Sequence, residues 1–204
     1  PSHVLSDSRY DRMNQIRNQE FNDPIINNFI SNNSKVVICG SIWKSDDDII
    51  RETILKRSDI KWLLFPHEIN PKRIKELRGI FSQAQLFSNY RANIDTNIMI
   101  VDTIGLLSKA YRYADISYVG GGFNKVVHSL IEPFAYSKPI IAGKNIGKSE
   151  EARELIERNV IHQITNSNEF NESIGYLFSR DSSKENSMRK EIFKSKLGST
   201  DNLN

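Results

Sequence analysis

The chain has 204 residues, a formal net charge of +3 and a single cysteine, Cys39. One thiol excludes an internal disulfide, a Cys-x-x-Cys redox pair and a zinc ribbon, and 28 basic against 25 acidic residues leave no surplus of the size phosphate-driven nucleic-acid binding needs. No apolar stretch approaches the ~18 residues of a membrane span, while a hydrophobic share of 38% supports one domain core in a reducing compartment.

Residues 1–34 are rich in Asn, Arg and Asp, with scattered apolar positions such as Tyr10, Met13, Ile26 and Phe29. They read as a linker with one or two short helices that cap a sheet domain, and the chain reads as a piece of something longer. From Lys35 onward, short apolar runs alternate with amphipathic stretches. Residues 36–39 are β-branched and stop at Gly40-Ser41, as a buried parallel strand does. Asp46, Asp47 and Asp48 form an acidic, solvated helix start, after which Ile49, Ile50, Thr53 and Ile54 share a helical face.

The pattern repeats. A strand at 61–65 leads to a helix at 71–80, then strands at 84–87 and 97–101, the last feeding a helix with Ile104, Leu107, Ala110 and Tyr111 on one face. A strand at 116–119, a helix at 129–137, a strand at 139–142, a helix at 149–159 and a strand at 160–163 complete the series. Helices at 170–178 and 184–197 follow, the second with Met188, Ile192 and Leu197 inward and a basic face toward solvent. This alternation predicts an α/β fold: a doubly wound, mostly parallel Rossmann-like sheet over 35–165, with 166–204 packing on it as carboxyl-terminal helices.

Ligands of such sheets bind at the carboxyl ends of strands, so the strand-to-helix turns carry the information. Four stand out: Gly40-Ser41-Ile42-Trp43, Pro66-His67-Glu68, Asp102-Thr103-Ile104-Gly105 and Gly120-Gly121-Gly122. Any one of them is accounted for by turn chemistry; four on one edge point to a binding crevice. The glycine triplet departs from Gly-x-Gly-x-x-Gly, since Lys125 stands where the third glycine belongs, and no Gly-Lys-Ser/Thr follows it. Pro71 stands where His-Glu-x-x-His needs its second histidine, so His67-Glu68 is not a zinc-protease start. No metal site or cofactor is expected, and Asp102-Thr103 reads as a helix cap. His128-Ser129-Leu130-Ile131-Glu132-Pro133 is the most informative stretch. Ser129 as an N-cap leaves backbone N–H groups free for a phosphate, and Glu132 either accepts hydrogen bonds from a ribose diol or offsets the helix dipole.

Taken in order, these turns resemble the 3-deoxy-D-manno-octulosonic acid (Kdo) transferases, glycosyltransferases with two Rossmann-like domains in the B fold. The resemblance begins at Asp7-Ser8-Arg9-Tyr10-Asp11-Arg12 and passes through Gly40-Ser41-Ile42-Trp43 and Pro66-His67-Glu68-Ile69. It is strongest from Asp102-Thr103-Ile104-Gly105 through Tyr118-Val119-Gly120-Gly121-Gly122-Phe123 to His128-Ser129-Leu130-Ile131-Glu132-Pro133 and Lys138-Pro139-Ile140-Ile141, and ends at Leu197-Gly198-Ser199-Thr200-Asp201. It implies the donor-binding, carboxyl-terminal half of an enzyme that moves Kdo from CMP-Kdo to a lipid A precursor at the cytoplasmic face of the inner membrane.

The resemblance places the CMP moiety against Pro66, His67, Ile104, Gly105, Leu106, Ser129, Leu130, Ile131 and Glu132. Many members carry Asn at the position of Ser129 and Arg at that of His67, so Arg73 or Lys125 are further candidates for the phosphate charge. The family's general base is a glutamate of the amino-terminal half; this chain then holds no catalytic residue and is expected to be inactive alone. A UDP-sugar-dependent B-fold transferase or epimerase, and a non-catalytic nucleotide-binding module, are the alternatives.

Overall fold

The computed structural model describes residues 8–30, 34–124, 127, 129–146 and 150–198. Seven strands, β1 (Lys35–Ile42), β2 (Ile60–Pro66), β3 (Gln85–Leu86), β4 (Ile98–Ile100), β5 (Ile116–Val119), β6 (Ile140–Gly143) and β7 (Ile161–Ile164), form one sheet in the order β3-β4-β2-β1-β5-β6-β7. Every pairing is parallel. The chain winds outward from β1 to β2, then crosses to the other side at β5, which makes the β1/β5 boundary the topological switch point.

Alternate residues of the inner strands feed two cores, as period-2 geometry requires. Val37, Cys39, Trp62, Leu64, Ile98 and Ile100 pack against Ile50 and Ile54 of α3 (Asp47–Lys56), Leu77 of α4 (Pro71–Ile80) and Phe170 and Ile174 of α8 (Ser167–Ser179). On the opposite face Val36, Ile38, Leu63 and Met99 meet Ile26 and Phe29 of α2 (Pro24–Ile30) and Ala110 of α5 (Leu107–Ala110). Beyond them Val119, Ile140 and Ala142 meet Tyr10 of α1 (Ser8–Asn18), Phe134 of α6 (Ile131–Phe134), Leu155 of α7 (Glu150–Glu157) and Phe193 of α9 (Ser183–Ser195). Burial lifts the Cys39 thiol well above its ordinary range, so the cysteine acts as an apolar core residue. Among the described residues no helix is long and apolar enough to cross a membrane.

The α/β alternation is therefore the one expected, with four local differences. The first is at Gly40-Ser41, which do not end the first strand: Ser41 takes a positive φ of 51°, the register shifts there, and Ile42 resumes pairing with Pro66. Second, Ile104 is not on a helical face, because Gly105 turns the chain at φ 86° and the helix starts only at Leu107. Third, α6 begins at Ile131 rather than Ser129, and its N-cap is Leu130, with no side-chain cap. Pro133 has no N–H to return to the Ser129 carbonyl, so an α-helix cannot begin there. Finally, Asp102 does not cap a helix; its carboxylate accepts from the backbone N of Ser88 at 2.9 Å and from the Ser88 hydroxyl at 2.5 Å. Asp7, Lys125, His128, Ser199, Thr200 and Asp201 lie outside the described residues.

Candidate functional site

A cavity of about 490 Å³ opens at the carboxyl ends of β1, β2 and β4. Pro66, His67, Ile104, Gly105 and Glu132 all line it, together with Ser41, Phe65, Ile69, Thr103 and Ser108. Ile104 is 84% exposed and presents its aliphatic side chain at the cavity. Glu132 forms a shared wall: on its other side lies a second cavity of about 400 Å³, lined by Arg9, Arg12, Met13, Ile16, Ser108, Ser129 and Ile131. Leu106 and Leu130 line neither cavity; both lean on the apolar clusters beneath.

Burial raises the Glu132 carboxyl above its ordinary range, and the Arg12 guanidinium pulls it back. Tyr111 is buried nearby, its phenol raised first by burial and then by the Glu132 charge. A partly desolvated carboxylate beside two cavities is an acceptor waiting for donors, because any hydroxyl that reaches it replaces water it has already lost.

His67 is fixed from behind. Its ring stacks on Trp43 with centroids 3.8 Å apart and an interplanar angle of 22°. The two rings lead into a smaller cavity of about 230 Å³ that Lys44, Lys72 and Arg73 also line. Arg73 is not a free charge in this cavity: both its Nη atoms donate to the Asp47 carboxylate, at 2.6 and 2.7 Å, in a buried pair.

The acidic run before α3 is also not a solvated helix start. Asp46 is 0% exposed, Asp47 is buried and only Asp48 faces water. The Asp46 carboxylate accepts from Trp43 N at 2.7 Å, Tyr118 Oη at 2.6 Å and Gly121 N at 3.1 Å, which ties the turn after β1 to the glycine triplet after β5. Gly120 allows that approach, since a Cβ there would lie 2.5 Å from the Ser41 carbonyl and 2.7 Å from the Asp46 carboxylate. The triplet thus closes the switch point instead of cradling a phosphate. Arg9 and Arg12 are cavity residues that the sequence does not single out as site residues, although they stand in the segment where the family resemblance begins. Among the described residues no group of His, Cys, Asp or Glu is placed to hold a metal ion.

No protein-family model matches the chain. Over 149 residues it is 29% identical to a bifunctional glycosyltransferase/methyltransferase of Fusobacterium nucleatum subsp. nucleatum, covering 69% of this chain and 23% of that protein. It is 30% identical over 144 residues to the 3-deoxy-D-manno-octulosonic acid transferase of Chlamydia trachomatis serovar A, covering 63% of this chain and 32% of the relative. The matched region spans about a quarter to a third of these relatives. In three dimensions it superposes on the C-terminal CMP-Kdo binding domain of WaaA from Acinetobacter baumannii with a TM-score of 0.64 at 15% identity, over 95% of this chain and 97% of that one.

The fold is that of the carboxyl-terminal domain of a B-fold glycosyltransferase. Its sequence relatives narrow the class further: the resemblance to the Kdo transferases, carboxyl-terminal domain, holds in both sequence and fold.

Proposed function

We propose that this chain is the donor-binding half of a glycosyltransferase that moves Kdo from CMP-Kdo to a lipid A precursor. The observation that carries the reading is the position of Glu132, a partly desolvated carboxylate on the wall between the Pro66–Ile104 cavity and the arginine-lined one. In this reading the base lies against Ile104 and Pro66, the ribose diol donates to Glu132, and the phosphate points toward Ser129. Breaking the bond between the sugar and the phosphate leaves positive charge on the sugar and negative charge on the departing CMP. Backbone N–H groups at the start of α6, with Arg9 and Arg12 across the cavity, stabilise that leaving phosphate. His67, held by Trp43, closes the far side; the pairing of Arg73 with Asp47 removes it as the phosphate's counter-charge.

The acceptor lipid and the general base belong, on this reading, to the amino-terminal half, which meets the membrane surface; residues 1–34 connect the halves and 166–204 pack back toward it. The domain alone then binds donor without turning it over. Titration calorimetry of the chain with CMP, UDP and AMP tests this: CMP is expected to bind most tightly, and a preference for UDP would instead support a UDP-sugar transferase. Sugar transfer by the chain alone would refute the assignment of the base to the other half.

A further inference from the structure

At the far edge of the sheet, two strands beyond β5, β7 packs against α8, and His162 on β7 lies within electrostatic reach of Arg180, Arg189 and Glu185. Arg189 of α9 is 0% exposed. Its Nη1 donates to Asn186 Oδ1 at 2.6 Å, but its Nε and Nη2 are buried with no acceptor. Arg180, which ends α8, donates from Nη1 to Tyr176 Oη at 2.6 Å and pairs with Glu185 at 3.1 Å, yet its Nε is also buried and unmatched. The Nε2 of His162 on β7 is in the same state. Tyr176 gathers the group, with the Arg180 guanidinium 4.5 Å from its ring centre and the His162 ring 6.2 Å away.

One fully buried guanidinium, Arg189, and one about a quarter exposed, Arg180, therefore share one carboxylate, Glu185, and among the described residues Arg189 has no ion-pair partner. A guanidinium cannot shed its proton to escape this, and buried charges in folded proteins are paired. Burial draws the Arg189 pKa down to about 10; Glu185 resists the fall and Arg180 adds to it, so the cation persists at neutral pH. A water molecule would satisfy one or two N–H groups and leave the charge. Only an anion answers both the missing acceptors and the surplus charge. It has to be small, since its ligands come from three elements packed edge to edge. Asn186, which accepts from Arg189 Nη1, also lines an open cavity of about 450 Å³ with Arg17, Lys138 and Lys190, a basic surface beside the junction.

We infer that the β7–α8–α9 junction binds a small inorganic monoanion of halide size, gripped by Arg189 and Arg180. The site is separate from the donor crevice and independent of the function proposed for it. It locks α9 onto the sheet edge, so halide should stabilise the fold.

The test is thermal unfolding of the chain at constant ionic strength while sodium gluconate is exchanged for sodium chloride or bromide. The expected result is a saturable rise in Tm, of about 3–5 °C once halide exceeds its Kd roughly tenfold. Bromide-soaked crystals should show an anomalous peak within about 3.5 Å of Arg189 Nε or Nη2. Arg189→Met is expected to lose the halide response, whereas Lys190→Ala, at an exposed neighbour, keeps it. Equal Tm in gluconate and halide, or a response lost in Lys190→Ala but kept in Arg189→Met, would overturn the proposal. Should Arg189→Met fail to fold, the bromide experiment on the unmodified chain decides alone: no peak at Arg189 refutes the site.

Discussion

The Asp46 carboxylate accepts the Tyr118 phenolic hydrogen at 2.6 Å, across the boundary between the loop after β1 and strand β5. With Trp43 N and Gly121 N on the same carboxylate, one buried side chain holds the two halves of the sheet in register where the crevice forms. Asp46→Ala leaves three donors without an acceptor and is expected to destabilise the chain by about 2–4 kcal/mol. Tyr118→Phe should cost about 1 kcal/mol. Urea unfolding of the two single variants and the double variant checks this, with a coupling above ~0.5 kcal/mol expected for groups in direct contact.

Arg73 and Asp47 make a second buried link, joining α4 to α3 through two hydrogen bonds. Arg73→Met strands the Asp47 charge, and a loss of about 3–5 kcal/mol is expected. Replacing both partners by apolar residues, Arg73→Met with Asp47→Leu, should recover most of that loss, because no unpaired charge remains. If the single and double variants unfold at the same urea concentration, the pair does not act as described.

Much of the fold was legible in the sequence. The short apolar runs that became β1, β2, β5 and β6 are buried on both faces, and such runs read the same from sequence as from structure. The acidic run was not, because the partners of Asp46 and Asp47 stand at Tyr118, Gly121 and Arg73, far along the chain; locally three aspartates look like a solvent face. The candidate site was legible where a residue at a strand end or loop, as at Pro66 and Ile104, or at a helix start, as at Glu132, lines the cavity directly. That residues 1–34 cap the sheet domain was legible, but nothing near Arg9 or Arg12 in the sequence announces that α1 brings them to a cavity wall shared with Glu132. The length of α6 was misread for a simpler reason: the polar N-cap signal at Ser129 is overridden by the missing N–H of Pro133.

The stacked pair at His67 supplies an optical probe. Trp43 is one of two tryptophans in the chain, and the other, Trp62, is fully buried with its indole N–H bonded to the Arg57 carbonyl at 3.1 Å. CMP entering the crevice should alter Trp43 emission saturably, and Trp43→Phe should abolish the change while leaving binding measurable by calorimetry. A signal that survives in Trp43→Phe would place the nucleotide elsewhere.

Glu132 sets a pH dependence with a definite sign. Its carboxyl is raised from the ordinary 4.5, chiefly by burial. The folded chain therefore holds this proton more tightly than the unfolded one, and stability falls as pH rises from about 4.5 through the folded value. A ribose diol donates to the ionised form, so CMP should bind more weakly below the folded value and restore stability above it. Glu132→Gln is expected to weaken CMP binding by about 10- to 100-fold, to remove the pH dependence and to leave the fold intact.

The central claim is that Glu132 receives the ribose of a cytidine nucleotide, and a crystal structure of the chain with CMP tests it most directly. The account predicts ribose hydroxyl oxygens within about 3.2 Å of the Glu132 carboxylate, the base against Ile104 and the phosphate directed toward Ser129. A nucleotide bound with its ribose away from Glu132, or seated on another face of the domain, would contradict it.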